Sequence, residues 1–339
     1  MKNLLKKGLS RQQIPLWRQF IQWGFLVWCV FLGVQFGLFV RYFESGGQTA
    51  YYPRPPGVEA FLPIGALVSF KAWLLAGHFD PVHPAALVLF LTFLGLALLS
   101  KKSFCSWICP VGALEEGLWK AGRRLFGRNY RIWTWLDVGL RFIKYALLLF
   151  FAKLILLDMP LMAIGGFMAA PYWAIADVKM LHFFTGMSTL SLTVIALLSV
   201  LSVFYKNFWC RYLCPYGALL GLLSAVSPLK VRRRRELCSD CGTCSRVCPA
   251  RIDVQHKTSV TSVECSACLT CVGACPQEGA LAVRLPLWKR SLPSWGFALV
   301  VLLLFSAGVA SGMLTGHWET SLTHLDYQRL IPLAGKLGH

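Results

Sequence analysis

Two short stretches of this chain repeat one cysteine spacing, and no other feature restricts its fold as much. The first reads Cys238-x2-Cys241-x2-Cys244-x3-Cys248-Pro249 and the second Cys265-x2-Cys268-x2-Cys271-x3-Cys275-Pro276. In this spacing short loops aim three thiolates at one iron–sulfur cube, and the fourth cysteine reaches across to a second cube. The rule gives Cys238, Cys241, Cys244 and Cys275 to one [4Fe–4S] cluster, and Cys265, Cys268, Cys271 and Cys248 to the other. Paired C-x2-C motifs also build structural zinc sites. Zinc has no use for the third evenly spaced cysteine or the trailing proline, so two clusters, and with them electron transfer, are the expectation.

A free ferredoxin needs little beyond those loops, whereas this chain has 339 residues, 56% of them hydrophobic, a mean hydropathy of +0.56 and a formal net charge of +19. Charged residues make up 14%, against roughly 25% in a typical soluble domain. The apolar excess belongs in lipid. The positive balance then marks cytoplasmic loops held at anionic lipid, not nucleic-acid binding. Dense C-x2-C runs without a secretory context bind metal and do not form disulfides. Lys2, Lys6, Lys7, Arg11 and Arg18 precede the first apolar stretch, which reaches Val40 without a small-residue cleavage site and reads as an uncleaved anchor.

Five segments are expected to span: 19–40, 84–100, 140–157, 187–205 and 295–314. Two more apolar segments, 60–77 with Pro63 and Lys71 and 160–177 with Pro160, Pro171 and Gly165-Gly166, are interrupted. Basic residues crowd the N-terminus, 101–131 and 206–235, and are sparse in 42–83 and 158–186. The positive-inside rule places all the basic segments in the cytoplasm only if 60–77 and 160–177 do not cross. Both therefore read as re-entrant or interfacial. The Arg232–Arg235 run reads as a lipid-facing basic stripe, or as one that holds the ferredoxin module against the membrane.

Two stretches about 105 residues apart match: Cys105-Ser106-Trp107-Ile108-Cys109-Pro110-Val111-Gly112-Ala113-Leu114 and Cys210-Arg211-Tyr212-Leu213-Cys214-Pro215-Tyr216-Gly217-Ala218-Leu219. Each follows the cytoplasmic end of a helix, after Lys102 and Lys206, so the membrane part reads as a tandem duplication. A C-x3-C pair sets thiols at i and i+4, on one face if the segment is helical. Cys105, Cys109, Cys210 and Cys214 could form an additional 2+2 metal or iron–sulfur site, act as redox-active dithiols, or dock a partner or shape the ferredoxin interface. Cys29, within the first helix, reads as packing.

The expected fold is thus an α-helical integral membrane protein, tandemly duplicated, with about five spanning helices, two re-entrant segments and a small α+β two-cluster ferredoxin module. Its order is a basic cytoplasmic N-terminus (1–18), a first membrane repeat (19–114), a basic cytoplasmic loop (115–139), a second membrane repeat (140–219), a basic linker (220–236), the ferredoxin module (237–285), a last helix (295–314) and an outside tail (315–339).

Twin C-x3-C-P motifs on membrane helices followed by a two-cluster module resemble the NapH/NosR/CcoG group of membrane iron–sulfur proteins. The stretch from Phe61-Leu62-Pro63-Ile64 through Asp80-Pro81-Val82-His83-Pro84 to Lys102 and Cys105 is similar to that group as well, and the resemblance covers about residues 15–285. It implies membrane-bound electron transfer in a bacterial inner membrane, with the module in the cytoplasm and a redox protein or reductase complex as partner. Within the group, NapH-type proteins are assigned as quinol-oxidising, NosR-type proteins support nitrous oxide reductase, and CcoG-type proteins reduce copper during oxidase assembly. A quinol dehydrogenase component of the NapH type fits best, because only about 40 residues separate the first two spans, too few for the flavin domain of NosR. The helix at 295–314 departs from a four-helix NapH. Quinol oxidation needs a proton acceptor, and the candidate quinone contacts are His78, His83 and His182, with Asp80, Asp158 and Asp177 near them. Copper handling in metalloenzyme assembly and redox sensing are the alternative functions.

Overall fold

The computed structural model describes residues 2–285 and 291–336, with side chains from Leu16 onward. Lys2, Lys6, Lys7 and Arg11 of the basic N-terminal segment fall outside the described side chains, and 337–339 of the tail fall outside the described residues. The helices in the first part of the chain are α1 Lys2–Glu44, α2 Pro63–Ala76, α3 Pro84–Ser100, α4 Phe104–Trp107, α5 Pro110–Phe126, and α6 Thr134–Ala152, continued by a π-helical turn over Lys153–Asp158. There follow α7 Leu161–Met168, α8 Pro171–Ala174, α9 Ala176–Thr185, α10 Thr189–Phe204, α11 Phe208–Tyr212 and α12 Pro215–Leu223. Strand β1 (Lys230–Arg233), helices α13 (Thr243–Val247) and α14 (Thr270–Gly273) and strand β2 (Leu281–Arg284) precede α15 (Ser294–Leu314) and α16 (His324–Leu330).

Proline and glycine set many of these boundaries. Proline occupies the first turn of α2, α5, α8 and α12, where its missing N–H costs nothing. Gly77 and Gly127 close α2 and α5 at φ 65° and 70°, a left-handed turn that glycine adopts without strain.

Among the described residues two helices are long and apolar enough to cross a membrane: the 29 residues Leu16–Glu44 of α1 and the 21 residues of α15. Most of each apolar surface is unburied within the protein, as a lipid-facing helix requires. The count rises to four if α6 with its π turn plus α7, bent by 102°, and α9 plus α10, bent by 76°, each form one span. The sequence expects five. The difference lies in α3, which covers 84–100 as expected but has only 17 residues, or about 26 Å at 1.5 Å per residue. The N-terminal helix is also longer than expected, at 43 residues.

The interrupted segments are short, broken helices. At 14 residues, α2 falls well below the ~20 needed to span, and 160–177 is cut into α7, α8 and the start of α9. Lys71, 6% exposed, donates from Nζ to the carbonyls of Ile155 and Met159 at 3.0 and 2.5 Å. Those carbonyls lie in and just after the π turn, where regular helical partners run out. The lysine that looked anomalous in an apolar segment thus satisfies a broken helix.

The chain divides into two compact units. The first comprises Met1–Leu26, Phe93–Leu148 and Leu197–Phe305; the second comprises Val27–Thr92, Leu149–Ala196 and Ser306–His339. In the second unit Phe36, Phe39, Val40 and Phe43 of α1 pack with Ile175, Val178, Tyr327 and Ile331. In the first unit β1 and β2 pair antiparallel, Lys230 opposite Arg284 and Val231 opposite Val283. This pairing corrects one expectation and divides another. The stretch read as a linker to 236 already supplies a strand from Lys230, and within Arg232–Arg235 only Arg234 and Arg235 are exposed. Arg232 and Arg233 are ladder residues, and Arg233 turns its guanidinium to the Cys238 sulfur (3.3 Å) and Asp240 (2.9 Å).

Candidate functional site

The two C-x3-C-P motifs fold alike, position for position. Cys105 and Cys210 sit in the single-turn helices α4 and α11, and Cys109 and Cys214 are the N-caps of α5 and α12, with Pro110 and Pro215 next. The amides of Cys109 and Cys214 bond the carbonyls of Phe104 and Trp209, and those of Ala113 and Ala218 bond back to the two cysteines. The thiols therefore do not share one helix face, because the extended backbone before each proline breaks the helix between them. Each second cysteine instead faces the free amides of a helix start, and Cys214 Sγ accepts from the Gly217 N–H at 3.2 Å. Gly112 lets this turn close, since a β-carbon there would stand 2.2 Å from the Cys105 carbonyl oxygen.

The turns bring all four thiols into one electrostatic neighbourhood. Burial pushes the Cys105 thiol up to about 12, and a Cys214 charge adds to the effect. Burial also raises Cys109, with Cys105 and Cys214 reinforcing it, and raises Cys210, with Cys214, Glu115, Cys109 and Cys105 reinforcing it. Burial raises Cys214 too, partly offset by the Gly217 amide and Lys102. A reactive dithiol needs a lowered pKa. Buried thiols that oppose one another's ionisation become thiolates when a metal supplies the compensating charge.

The two ferredoxin runs converge on two cavities. One is lined by Cys248, Cys265, Cys268 and Cys271, with walls from Val231, Ile252, Val254, Val260 and Leu269. The other is lined by Cys238, Cys241, Cys244 and Cys275, with Arg233, Ser239, Gln255 and Gln277 among its walls. These are the two sets of four that the spacing rule assigns. An all-cysteine set of four in a closed loop cage is the donor set of a [4Fe–4S] cube. The surroundings differ: burial pushes Cys248 up to about 12 and also raises Cys265 and Cys271, whereas the exposed Cys241 is lowered by hydrogen bonds from Thr243.

The repeated motifs grip the module beside the apolar cavity. Ser106, directly after the first cysteine, donates to the Ser266 carbonyl at 2.7 Å, and its repeat counterpart Arg211 donates to the Ala250 carbonyl at 2.9 Å. Trp107 Nε1 bonds the Ala267 carbonyl at 3.1 Å. Lys101 Nζ bonds the carbonyls of Ser224, Thr261 and Ser262, each at 3.1 Å. Cys105, Cys210 and Cys268 share a further cavity with Lys102 and Glu264, so the motif thiols and the inner ferredoxin thiols border one space. Glu264 precedes Cys265 and binds Lys144 Nζ through both oxygens, at 2.6 and 2.8 Å, with the Tyr145 hydroxyl at 3.2 Å. Despite burial, Lys102 and Lys144 hold the Glu264 carboxyl down at about 2.

The three candidate histidines are not brought together. His78 is exposed. His182 pairs with Glu44 at 2.9 Å. His83 is fully buried, with Nε2 2.8 Å from the Trp173 carbonyl and Nδ1 3.4 Å from both Arg54 Nη2 and Glu59 Oε1. Arg54 also binds Asp177 Oδ2 and Glu59 Oε1, each at 2.7 Å. This balanced buried group was missed apart from His83 and Asp177, because Arg54 and Glu59 carry no motif. Lys101, Lys102 and Glu264 were more accessible, since each lies beside a cysteine motif in sequence.

The comparisons with known proteins fall on the same segments. A family described as "4Fe-4S binding domain" matches twice, over 82–129 and 186–235, and one described as "4Fe-4S dicluster domain" matches 230–276. The first two matches contain no cysteines besides Cys105 and Cys109, and Cys210 and Cys214. The putative electron transport protein YccM of Escherichia coli is 42% identical over 95% of this chain and 92% of its own length. The ferredoxin-type protein NapH of Escherichia coli is 28% identical over 60% of this chain and 69% of its own, and the protein NirI of Paracoccus denitrificans 28% identical over 65% and 33%. No solved structure matches. The family expectation is borne out, and within the family the similarity to YccM runs nearly the full length of the chain, further than that to NapH. With this similarity over almost the whole sequence and the 4Fe–4S matches over its cysteine motifs, the chain belongs to the family of membrane-associated ferredoxin-type 4Fe–4S proteins that includes YccM, NapH and NirI.

Proposed function

We propose that the chain is a membrane-anchored electron carrier with three iron–sulfur centres in series. Cys238, Cys241, Cys244 and Cys275 hold the outer [4Fe–4S] cluster, Cys265, Cys268, Cys271 and Cys248 the inner one, and Cys105, Cys109, Cys210 and Cys214 a third metal centre. When bound, such clusters take up and release single electrons. The chain contributes a dry wall around the inner thiols, an open edge at Cys241 for a partner redox protein, and lysines that balance thiolate charge. What supports this reading is that two sets of four thiols line their own cavities, and that the four thiols of the repeated turn lie near enough to oppose one another's ionisation. At the far end of the series stands the quinone pool or a cytoplasmic donor.

Five crossings, by α1, α3, α6, α10 and α15, and a cytoplasmic module complete the reading. The double family match 104 residues apart at its starts supports a tandem duplication.

Iron counting tests the core of it. An anaerobic preparation is expected to contain about twelve irons per chain, and Cys109→Ser/Cys214→Ser about eight. Fewer than about six in the parent would overturn the cluster reading, and an unchanged count in the variant would remove the third centre. Electron paramagnetic resonance after quinol addition tests the donor. For topology, a reporter fused after Leu285 should report cytoplasm.

A further inference from the structure

A strongly cationic cavity of the first unit meets the three thiol sets only at Cys248, on its wall, and the rest of its lining serves none of them. It is lined by six cations, Arg123, Arg128, Arg131, Lys206, Arg246 and Arg251, and a single carboxylate, Asp253. That carboxylate is already engaged, at 2.7 Å by His256 and 3.2 Å by Ser245. Among the described residues none of the six cations is in an ion pair. The cavity measures about 520 Å³, within the range of small-ligand sites. Cations gathered in that space repel one another until an anion enters. Arg251 is held there at φ +53°, a strained value for a side-chain-bearing residue, with Nη2 on the Tyr130 carbonyl at 2.8 Å.

Its position says which anion. Arg123 lies in the last turn of α5, Arg131 three residues before α6 and Lys206 two residues after α10, so the cavity opens at helix ends. Beside it the chain exposes large apolar side chains, Leu125 (76%), Trp133 (72%) and Trp135 (71%), and the two indoles stack with centroids 6.4 Å apart. Tryptophans of this kind mark the headgroup level of a bilayer, and basic pockets at helix ends on the cytoplasmic side suit anionic headgroups. Further along α6, Val138 and Phe142 are exposed where acyl chains would run.

We propose that this cavity is a binding site for the phosphate headgroup of an anionic phospholipid. The proposal rests on reading α6 and α10 as membrane-crossing. A free soluble phosphate shares the headgroup chemistry but has no use for the exposed tryptophans and the apolar flank.

The test uses the full chain in mild detergent, with native mass spectrometry of added phosphatidylglycerol, phosphatidylcholine and glycerophosphate. The expected result is one phosphatidylglycerol retained per chain, with neither phosphatidylcholine nor glycerophosphate retained. In Arg123→Gln/Arg128→Gln/Arg131→Gln, phosphatidylglycerol binding should fall on the order of a hundredfold, since each cation near a headgroup is worth about a factor of five. Arg251 is spared because it holds Tyr130, and unchanged iron content would show that the variant keeps its module. Equal phosphatidylglycerol retention by the variant, or equal retention of phosphatidylcholine, would overturn the proposal. Glycerophosphate binding as tightly as the full lipid would make this a soluble-anion site and overturn it too. Failure of the parent to insert into phosphatidylcholine vesicles would instead bring down the membrane reading beneath it.

Discussion

The two compact units bury different chemistry. The unit built from Met1–Leu26, Phe93–Leu148 and Leu197–Phe305 contains twelve of the thirteen cysteines, and the other contains only Cys29. Both bury ion pairs, but the second unit closes its charges on themselves: Arg54 and His83 balance Glu59 and Asp177 in one contact group. In the first unit the pairs Arg18–Glu116, Lys144–Glu264 and Arg211–Asp137 surround thiols that have no comparable partner. A buried group with its partner in place is a strut, and a buried group without one is a site. The contrast separates the part of the molecule that carries the cysteine motifs from the part that holds charge still.

The largest effect should come from the thiols. Cys248→Ser/Cys268→Ser is expected to remove about four irons and the inner cluster's resonance, leaving the second unit's unfolding behaviour intact. Equal loss of stability in both units would break the comparison. Next is Arg54→Met, which strands Glu59 and Asp177 in a dry site. Losing one member of a buried ion group costs about 3–5 kcal/mol, which denaturant unfolding in detergent would read, while iron content should stay at the parent value.

Titration sharpens the contrast because the units respond in opposite directions. Burial disfavours the charged form of His83, but Glu59 and Asp177 outweigh it and its pKa is raised. Its contribution is therefore present below the ordinary histidine value of 6.5 and is lost as pH rises through the raised one. Burial likewise works against the Glu116 charge, but Arg18 and Lys120 win and its pKa is lowered. That contribution is present above 4.5 and is lost as pH falls through the depressed value. Thermal unfolding of the parent against His83→Gln, at pH 6 and pH 9, should converge on the alkaline side. A constant difference would remove His83 from the balance. The smallest effect belongs to Tyr327→Phe. Its buried hydroxyl has no hydrogen-bond partner among the described residues, so the change should stay within about 1 kcal/mol and could be stabilising.

What the sequence revealed and what it hid follow the same division. The cysteine spacings are local, and the chain cannot place Cys238, Cys241 and Cys244 in one loop without pointing them at one cavity. The internal repeat was equally legible, because ten aligned positions dictate one turn, proline included. Arg54, Glu59 and Tyr327 meet only through tertiary packing and carry no pattern that a one-dimensional reading can find. Helix crossings fell between these cases. Apolar length was visible, but α3 at 17 residues shows that apolar length and crossing length part company near the threshold. Lys71 looked like a reason to doubt a helix, although its role was to repair another.

The pairing of β1 with β2 has one consequence for how such a protein is assembled. The chain enters and leaves the ferredoxin module on neighbouring antiparallel strands, with Lys230 beside Arg284. Topologically the module is a cassette inserted between α12 and α15, its entry and exit side by side like the two pins of a plug. A cassette mounted this way keeps its entry and exit together, but any replacement would have to offer the same carbonyls to Lys101, Ser106, Trp107 and Arg211 and a carboxylate to Lys144.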